Sequence, residues 1–293
     1  MKKIELVDHS TLIDNYDDFV DGKMKAVISL PVPVMDVRMW FKKRDAYASI
    51  LGMTGTELEK VVYYVSYAVT DPGETEMTVG TVLSEADLKA AREKYGDAFS
   101  ADIGAAAVKK LFSRIDLEAV YNELRSQEKE CMASLERIRN DSENEEFDEK
   151  ECEEPKEGLS EEDILCQSLG DVREKLDCMF FIKECREKLF ITEIRLFPLE
   201  LRPMAKGSVP RTPYGILNDL ENLYLRVFNR ADRIRRLTEL KAPEVIILNE
   251  SRLLQEMVDC LLANGMRGKP ATKGNGRPLF CIRDLLETYV TTV

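Results

Sequence analysis

The sequence lacks the residue patterns that build metal centres and membrane spans. Its 293 residues include seven cysteines, none of them in a CxxC pair, and a single histidine, His9. A zinc site needs four clustered nitrogen or sulfur ligands, so this pattern predicts no metal site. An odd number of cysteines without a secretory leader is typical of a reducing compartment, and no apolar run approaches the ~20 residues that cross a bilayer. We therefore expect a soluble, cytoplasmic protein that does not enter a membrane.

Charge of one sign is concentrated in a short part of the chain. The formal net charge is −12, and residues 141–163 hold 13 acidic residues and two lysines, so nearly all of the excess lies there. So many like charges repel each other and favour a solvated segment. We predict that residues 141–170 form an acidic linker or insertion rather than a binding site.

The remaining pattern favours a mainly α protein with a minor β component (α+β). Helical spacing over 83–96, with Ser84 as cap and Gly96 as stop, predicts one helix. The same spacing over 105–140 predicts further helix, broken near Asp116. These segments form the helix-rich body of the protein.

Short strands are expected on either side of a capping box. Residues 26–41 alternate loosely around two prolines, which is typical of an edge strand. Thr54 and Glu57 have capping-box spacing, and an apolar run from Val61 to Val69 follows with strand character. Residues 171–203 indicate a helix, then a strand, then a turn.

A long helical pair is predicted near the C-terminus. Its first arm carries apolar residues at the spacing of a coiled-coil seam: Leu217, Leu220, Tyr224, Val227, Ala231 and Ile234. Its second arm has heptad-compatible spacing at Ile247, Leu254, Met257 and Leu261. Pro243 should end the first arm near Leu240 or Lys241, and Asn264-Gly265 should end the second. The body therefore carries a long, protruding antiparallel coiled-coil hairpin.

The first arm is unusually rich in arginine. Five arginines occupy eleven positions: Arg226, Arg230, Arg233, Arg235 and Arg236. Arg226, Arg230 and Arg233 lie at i, i+4 and i+7, on one face outside the seam. Exposed charges on a helix are commonly a solvated face. A stripe of one sign on a projecting element also suits a partner, and the residues alone leave both interpretations open.

The helical pair resembles a known family. Residues 220–268 read LENLYLRVFNRADRIRRLTELKAPEVIILNESRLLQEMVDCLLANGMRG. This stretch is similar to the clamp helices of the bacterial RNA polymerase beta-prime subunit. Shared positions include Asn229-Arg230, Ala242-Pro243, Asn249-Glu250 and Leu254-Gln255-Glu256.

The likeness extends to other parts of that family's clamp region. SYAVTDPG (66–73) and EKYGDAFSADIGAAAVKKLFSRIDL (93–117) look like family motifs. LRP (201–203) resembles the entry to the family's lid, and GKPATKGNGRPL (268–279) resembles its rudder. The resemblance covers roughly 26–125 and 171–285. It divides the chain into a polar N-terminal extension (1–25), a clamp-like body (26–140), the acidic linker or insertion (141–170), a return to the body with a lid-like loop (171–215), the clamp-helix coiled coil (216–265), and a rudder-like loop with the C-terminal segment (266–293).

The resemblance implies partners and site residues. In the family, the helical pair docks the sigma factor and NusG-type elongation factors. On this chain the implied sigma-binding residues are Arg226, Arg230, Arg233, Arg236, Glu250, Arg252 and Met257. The lid and the rudder lie beside DNA and the RNA–DNA hybrid in the polymerase. The implied residues near nucleic acid are Arg211, Lys269, Lys273 and Arg277.

Several family features are absent from the sequence. The cysteines of the zinc ribbon and the three-aspartate magnesium loop do not occur, and YDDFVDGK (16–23) lacks the alternate aspartate spacing. Met257 and Leu225 also differ from the family pattern. We therefore expect no cofactor in this chain, because the family's magnesium and zinc sites lie outside it, and no nucleotidyl transfer by the chain alone.

Three hypotheses follow. The chain is the clamp portion of a beta-prime subunit, which works with the beta subunit and the remainder of beta-prime. Alternatively, it is a free-standing clamp-like module that acts as a decoy or recruiter for sigma or another transcription factor. The third is an unrelated helical scaffold.

Overall fold

The structure is a computed structural model that describes residues 27–145, 160–197 and 219–290. Its long helices, in chain order, are α3 (Gly55–Val62), α4 (Glu85–Tyr95), α5 (Gly104–Arg114), α6 (Leu117–Glu145), α7 (Glu161–Leu189), α8 (Asp219–Glu239), α9 (Glu244–Ala263) and α10 (Ile282–Val290). Two short helices, α1 (Val37–Trp40) and α2 (Arg44–Ile50), precede them and are joined by a 3-10 turn, Phe41–Lys43. The mainly α, minor β class is confirmed.

The strands form two small antiparallel sheets. In the first, β1 (Val27–Met35) pairs with β5 (Phe190–Arg195), and the register shifts between Ser29 and Val34, around the two prolines of this strand. In the second, β2 (Tyr67–Asp71) lies between β3 (Val82–Leu83) and β4 (Ser100–Asp102).

Two apolar clusters meet at β1. Met35 belongs to the first cluster, which lies in the body around Trp40, Tyr63 and Phe112. Its neighbour Val34 belongs to the second cluster, which is built largely from α8, α9 and α10. Successive side chains of a strand point to opposite faces, so one strand supplies both cores and joins them.

The local predictions for the body are mostly confirmed. Thr54 and Glu57 form a capping box at the start of α3, and Ser84 caps α4, which ends at Gly96. The break near Asp116 is present, because its carboxylate accepts hydrogen bonds from the backbone N–H groups of residues 118 and 119, both at 3.1 Å.

The strand expected over Val61–Val69 is partly wrong. Val61 and Val62 belong to helix α3, and β2 begins only at Tyr67. Tyr64 leaves the helix with a φ of 60°, a conformation that turns the chain sharply before the strand. A short apolar run has the same composition in a buried helix end and in a buried strand, so the run alone does not distinguish the two.

The two longest helices enter the acidic segment from both sides. α6 continues to Glu145, and α7 begins at Glu161 with a capping box between Ser160 and Asp163. The expectation of a solvated segment over the whole of 141–163 is therefore wrong at both ends, and α7 also occupies 164–170 of the linker or insertion predicted over 141–170. Residues 146–159 lie outside the described residues, as do the N-terminal extension with YDDFVDGK, the lid-like segment 198–218 and residues 291–293.

The predicted helical pair is present as α8 and α9, which pack against each other. We call them the helix pair. The seam residues of α8 are buried, as are Leu254 and Leu261 of α9, whereas Ile247 and Met257 are half-buried. Lys241, with a φ of 52°, and Pro243 lie in the connection, and Gly265 follows the end of α9 with a φ of 82°. The predicted ends are thus confirmed to within a residue or two.

Candidate interaction surface on the helix pair

Glu250 of α9 forms ion pairs with two of the predicted sigma-binding arginines. Arg230 donates to one carboxylate oxygen of Glu250, and the Nε of Arg233 lies 3.0 Å from the other. Glu250 is only 4% exposed, so its charge is stabilised by these cations rather than by water. The arginines therefore join α8 to α9 while the guanidinium of Arg233 stays accessible from outside.

The other arginines of α8 have different surroundings. Arg226 is exposed and makes no ion pair with the described residues. Arg236 pairs with Asp232 one turn earlier at 2.9 Å, and Arg235 donates to the backbone carbonyl of Ser29 in β1. Of the five arginines of α8, one therefore has no ion pair with the described residues, two share Glu250, and two are held by Asp232 and by the carbonyl of Ser29.

Two of the predicted sigma-binding residues on α9, Arg252 and Met257, already have contacts within the chain. Arg252 pairs with Glu256 at 2.7 Å and also donates to the side chain of Asn249 at 3.1 Å. Met257 packs against the second apolar cluster. Arg252 can still meet a partner from its outer side, whereas Met257 contributes mainly to packing.

An apolar patch lies where α8 meets α9. Leu240, Val245 and Ile246 are 77%, 67% and 42% exposed. These side chains do not belong to the seam and flank the Pro243 turn. Sequence reasoning missed them as site residues, although their position beside a proline, off the heptad pattern, could have indicated exposure.

A buried polar network attaches the helix pair to the body. Gln255 of α9 exchanges two hydrogen bonds with the backbone of Met35, at 2.9 and 2.8 Å, and donates to Asp259 at 2.8 Å. Asp259 also accepts the hydroxyl hydrogen bond of Tyr63, at 2.7 Å. Burial disfavours the charged carboxylate and raises the pKa of Asp259 to about 7.

Arg267 covers this network from outside. Its guanidinium lies 3.4 Å from the centre of the Tyr63 ring, and it pairs with Glu59 of α3 at 3.1 Å. Burial, followed by the nearby Asp259 carboxyl, raises the pKa of Tyr63 far above its usual range. The tyrosine therefore remains a hydrogen-bond donor at every working pH.

The predicted nucleic-acid residues lie mostly in the loop after α9. Lys273 and Arg277 both pair with Asp219 at the start of α8, Arg277 at 2.7 Å. Burial opposes the charged form of Asp219, but the hydrogen bonds from Lys273 and from the backbone N–H of Phe280 outweigh it and lower its pKa. Lys269 is exposed and makes no ion pair with the described residues. Arg211 lies outside the described residues.

Asn264 gives this loop its shape. Its side chain donates to the carbonyls of Ala271 and Leu279, both at 2.9 Å, and accepts from the N–H of Ala271 at 2.8 Å. The loop is closed on itself and presents Lys269 and the outer side of Arg277 to solvent.

Two kinds of site are absent from the described ranges. No helix there is both long and apolar enough to cross a membrane. No group of three or more His, Cys, Asp or Glu side chains in the same ranges could hold a metal ion.

The sequence matches a known family over almost its whole length. The model of RNA polymerase Rpb1, domain 1, matches residues 19–287, so the chain belongs to this family. It is 38% identical over 263 residues to the DNA-directed RNA polymerase subunit beta' of Alkaliphilus oremlandii, covering 89% of this chain and 19% of that protein.

Two further relatives carry the same name. The proteins of Pelotomaculum thermopropionicum and Moorella thermoacetica are each 36% identical over 264 residues, which is 89% of this chain and 19% and 20% of theirs. The chain thus spans about a fifth of the length of these relatives. The predicted resemblance to the bacterial beta-prime subunit is confirmed.

Proposed function

We propose that this chain is the clamp portion of a bacterial-type RNA polymerase beta-prime subunit. In this role the helix pair is a coiled coil that docks a sigma factor or a NusG-type elongation factor. The loop after α9 lies beside DNA and the RNA–DNA hybrid. The chain works in the cytoplasm with the beta subunit and the rest of beta-prime, carries no cofactor and performs no nucleotidyl transfer alone.

The observation that carries this proposal is the surface of the helix pair in a chain of this family. Arg226 and the outer side of Arg233 offer cations along α8, and an exposed apolar patch at Leu240, Val245 and Ile246 lies beyond the C-terminal end of that helix, about 20 Å along its axis from Arg226. Arginine binds carboxylates bidentately and stays charged at any working pH. An acidic helix with apolar residues on one side would match both features.

The test is a titration of the chain with the primary sigma factor of its source bacterium. We expect Arg226→Glu to weaken binding by at least about tenfold, and more at low salt than at high salt. Lys129→Glu, at an exposed position of α6, serves as the matched charge reversal away from the surface. Equal binding by wild type and Arg226→Glu would support the alternative interpretation, in which the arginines form an ordinary solvated face.

Co-purification distinguishes a clamp portion of polymerase from a free-standing decoy or recruiter. A clamp portion brings down the beta subunit from an extract of the source cell. A free-standing decoy or recruiter binds sigma without it. Template-dependent RNA synthesis by the purified chain, abolished by EDTA, would contradict the proposed lack of catalysis.

A further inference from the structure

A cleft of about 550 Å³ lies in the body, away from the helix pair. One wall is a single face of α5, whose residues recur at i, i+3, i+4, i+7 and i+8: Ala106, Lys109, Lys110, Ser113 and Arg114. The opposite wall comes from the end of β2 and the start of β4, and Pro33 of β1 completes the lining. The cleft is therefore built from four elements that the fold holds in fixed positions.

The cleft is positively charged in a chain of net charge −12. Lys109, Lys110 and Arg114 line it together with one carboxylate, Asp71. Arg114 pairs with Asp71 at 2.6 Å, and Lys110 pairs with Asp102 at 2.6 Å. Lys109 makes no ion pair within the described part of the chain. An uncompensated cation is thus held beside two others.

The existing ion pairs leave room for an anion. Both are open to water and contribute little to stability, so exchanging part of them for another anion costs little. An arginine has five N–H donors, and the described bond to Asp71 uses one nitrogen of Arg114. Thr70 donates to Asp102 at 2.5 Å, which holds the carboxylate in place behind Lys110.

The composition of the lining indicates the class of ligand. Lysine and arginine beside the hydroxyl of Ser100 suit an anion with several oxygens, and lysine is a common phosphate binder. None of the lining residues is aromatic, so the cleft offers no platform for stacking a base. Its volume lies within the range of about 300–1,000 Å³ that holds small molecules. We propose that this cleft binds a small polyphosphate anion.

Isothermal titration of the full chain with inorganic tripolyphosphate at low salt tests the proposal. We expect saturable binding that Lys109→Glu weakens at least about tenfold and Lys109→Gln weakens less, because the glutamine removes the charge without reversing it. Lys129→Glu should bind like wild type. Circular dichroism of each variant checks that it is folded. No saturable binding by wild type, or equal binding by all four proteins, would overturn the proposal.

A second arm identifies the source of the phosphate. Duplex DNA is titrated into the same four proteins, with and without tripolyphosphate. A small-ligand cleft predicts tight binding of tripolyphosphate that DNA displaces poorly. DNA binding that depends on Lys109, without binding of tripolyphosphate, would show that the surface follows a nucleic-acid backbone and that the small-ligand proposal is wrong. None of these substitutions touches the helix pair, so the outcome is independent of sigma binding.

Discussion

Tyr63, the residue that follows α3, donates its hydroxyl hydrogen bond to Asp259 of α9 over 2.7 Å, although the two residues are 196 positions apart in the chain. Gln255 continues this contact to the backbone of Met35. A few buried polar groups therefore fix the orientation of the helix pair on the body, together with the apolar packing at β1. Each of these groups has a measurable consequence.

The first prediction concerns the buried carboxyl of Asp259. Its pKa is raised from 3.8 to about 7, so between these values the unfolded chain binds fewer protons than the folded one. The free energy of unfolding should then fall by about 1.4 kcal/mol for each pH unit from about 4 to 7 and level off above. Urea unfolding of wild type and Asp259→Asn across this range measures it. The free energy of unfolding of Asp259→Asn should rise relative to that of wild type as the pH increases. The control Asp177→Asn, at an exposed site, should show the same pH dependence as wild type.

Removing the hydroxyl of Tyr63 should leave Asp259 with one donor fewer. We expect Tyr63→Phe to lower the free energy of unfolding by about 1–3 kcal/mol. The loss should be larger at pH 8 than at pH 5, because a hydrogen bond to an ionised carboxylate is stronger than one to a neutral group. Tyr121→Phe changes a half-exposed tyrosine of α6 and should cost less than about 0.5 kcal/mol. An equal loss at both pH values would mean that Asp259 does not change charge in this range.

Arg230 contributes to folding as well as to the surface. Arg230→Glu would place a carboxylate against the buried Glu250 and remove one of its two cations. We expect this substitution to lower stability by at least about 2 kcal/mol. Arg226→Glu, at an exposed position, should change stability by less than about 0.5 kcal/mol. Thermal unfolding of the two variants compares them, and similar midpoints would mean that the contact with Glu250 carries no net stability.

Asp219 is expected to hold the loop after α9 against α8. Because its pKa is lowered in the folded chain, its contribution is present above the unfolded value of 3.8 and is lost as the pH falls. Asp219→Asn should cost about 1–3 kcal/mol at pH 7, since Lys273 and Arg277 lose their shared carboxylate. The gap between variant and wild type should narrow as the pH falls below 3.8. A gap that does not change as the pH falls through this range would contradict the ionic origin.

Gly104 at the start of α5 should not tolerate a side chain. Its φ is 75°, and an added Cβ would lie 2.3 Å from the Tyr64 ring. We expect Gly104→Ala to cost at least about 2 kcal/mol. Gly170→Ala in α7 meets open space and should stabilise the chain by about 0.5–1 kcal/mol, because alanine favours a helix more than glycine does. Chemical unfolding of the pair measures both effects, and a neutral Gly104→Ala would show that the Tyr64 ring can move away.

Local features of the fold could be predicted because their causes lie within a few residues. The caps at Thr54 and Ser84 and the turn at Pro243 each depend on neighbouring positions. The capping box of Ser160 had the same sequence pattern, with Asp163 three residues later. The acidic composition of that segment nevertheless favoured a linker, and the predicted linker therefore extended past the true start of α7 at Glu161.

The candidate site was only partly predictable, because many of its contacts join residues that are far apart in the chain. Spacing placed Arg226, Arg230 and Arg233 on one face, but it carried no information on which acid each would meet. The pairing of Lys273 and Arg277 with Asp219, and of Tyr63 with Asp259, depends on elements that are distant in the chain. Such contacts follow from packing and not from periodicity. They turn several predicted surface cations into groups with a structural role.

The position of β1 in the chain has a consequence for synthesis on the ribosome. Met35 pairs with Phe190 in the sheet and with Gln255 through side-chain hydrogen bonds. The nascent chain therefore exposes the apolar face of its first strand until residues far downstream have emerged. At about 5–20 residues per second, the interval between Met35 and Gln255 lasts on the order of ten seconds or more. Until Phe190 and Ile191 have emerged, β1 has no sheet partner for Val34 or Met35, and this is the period in which a nascent-chain chaperone would bind it.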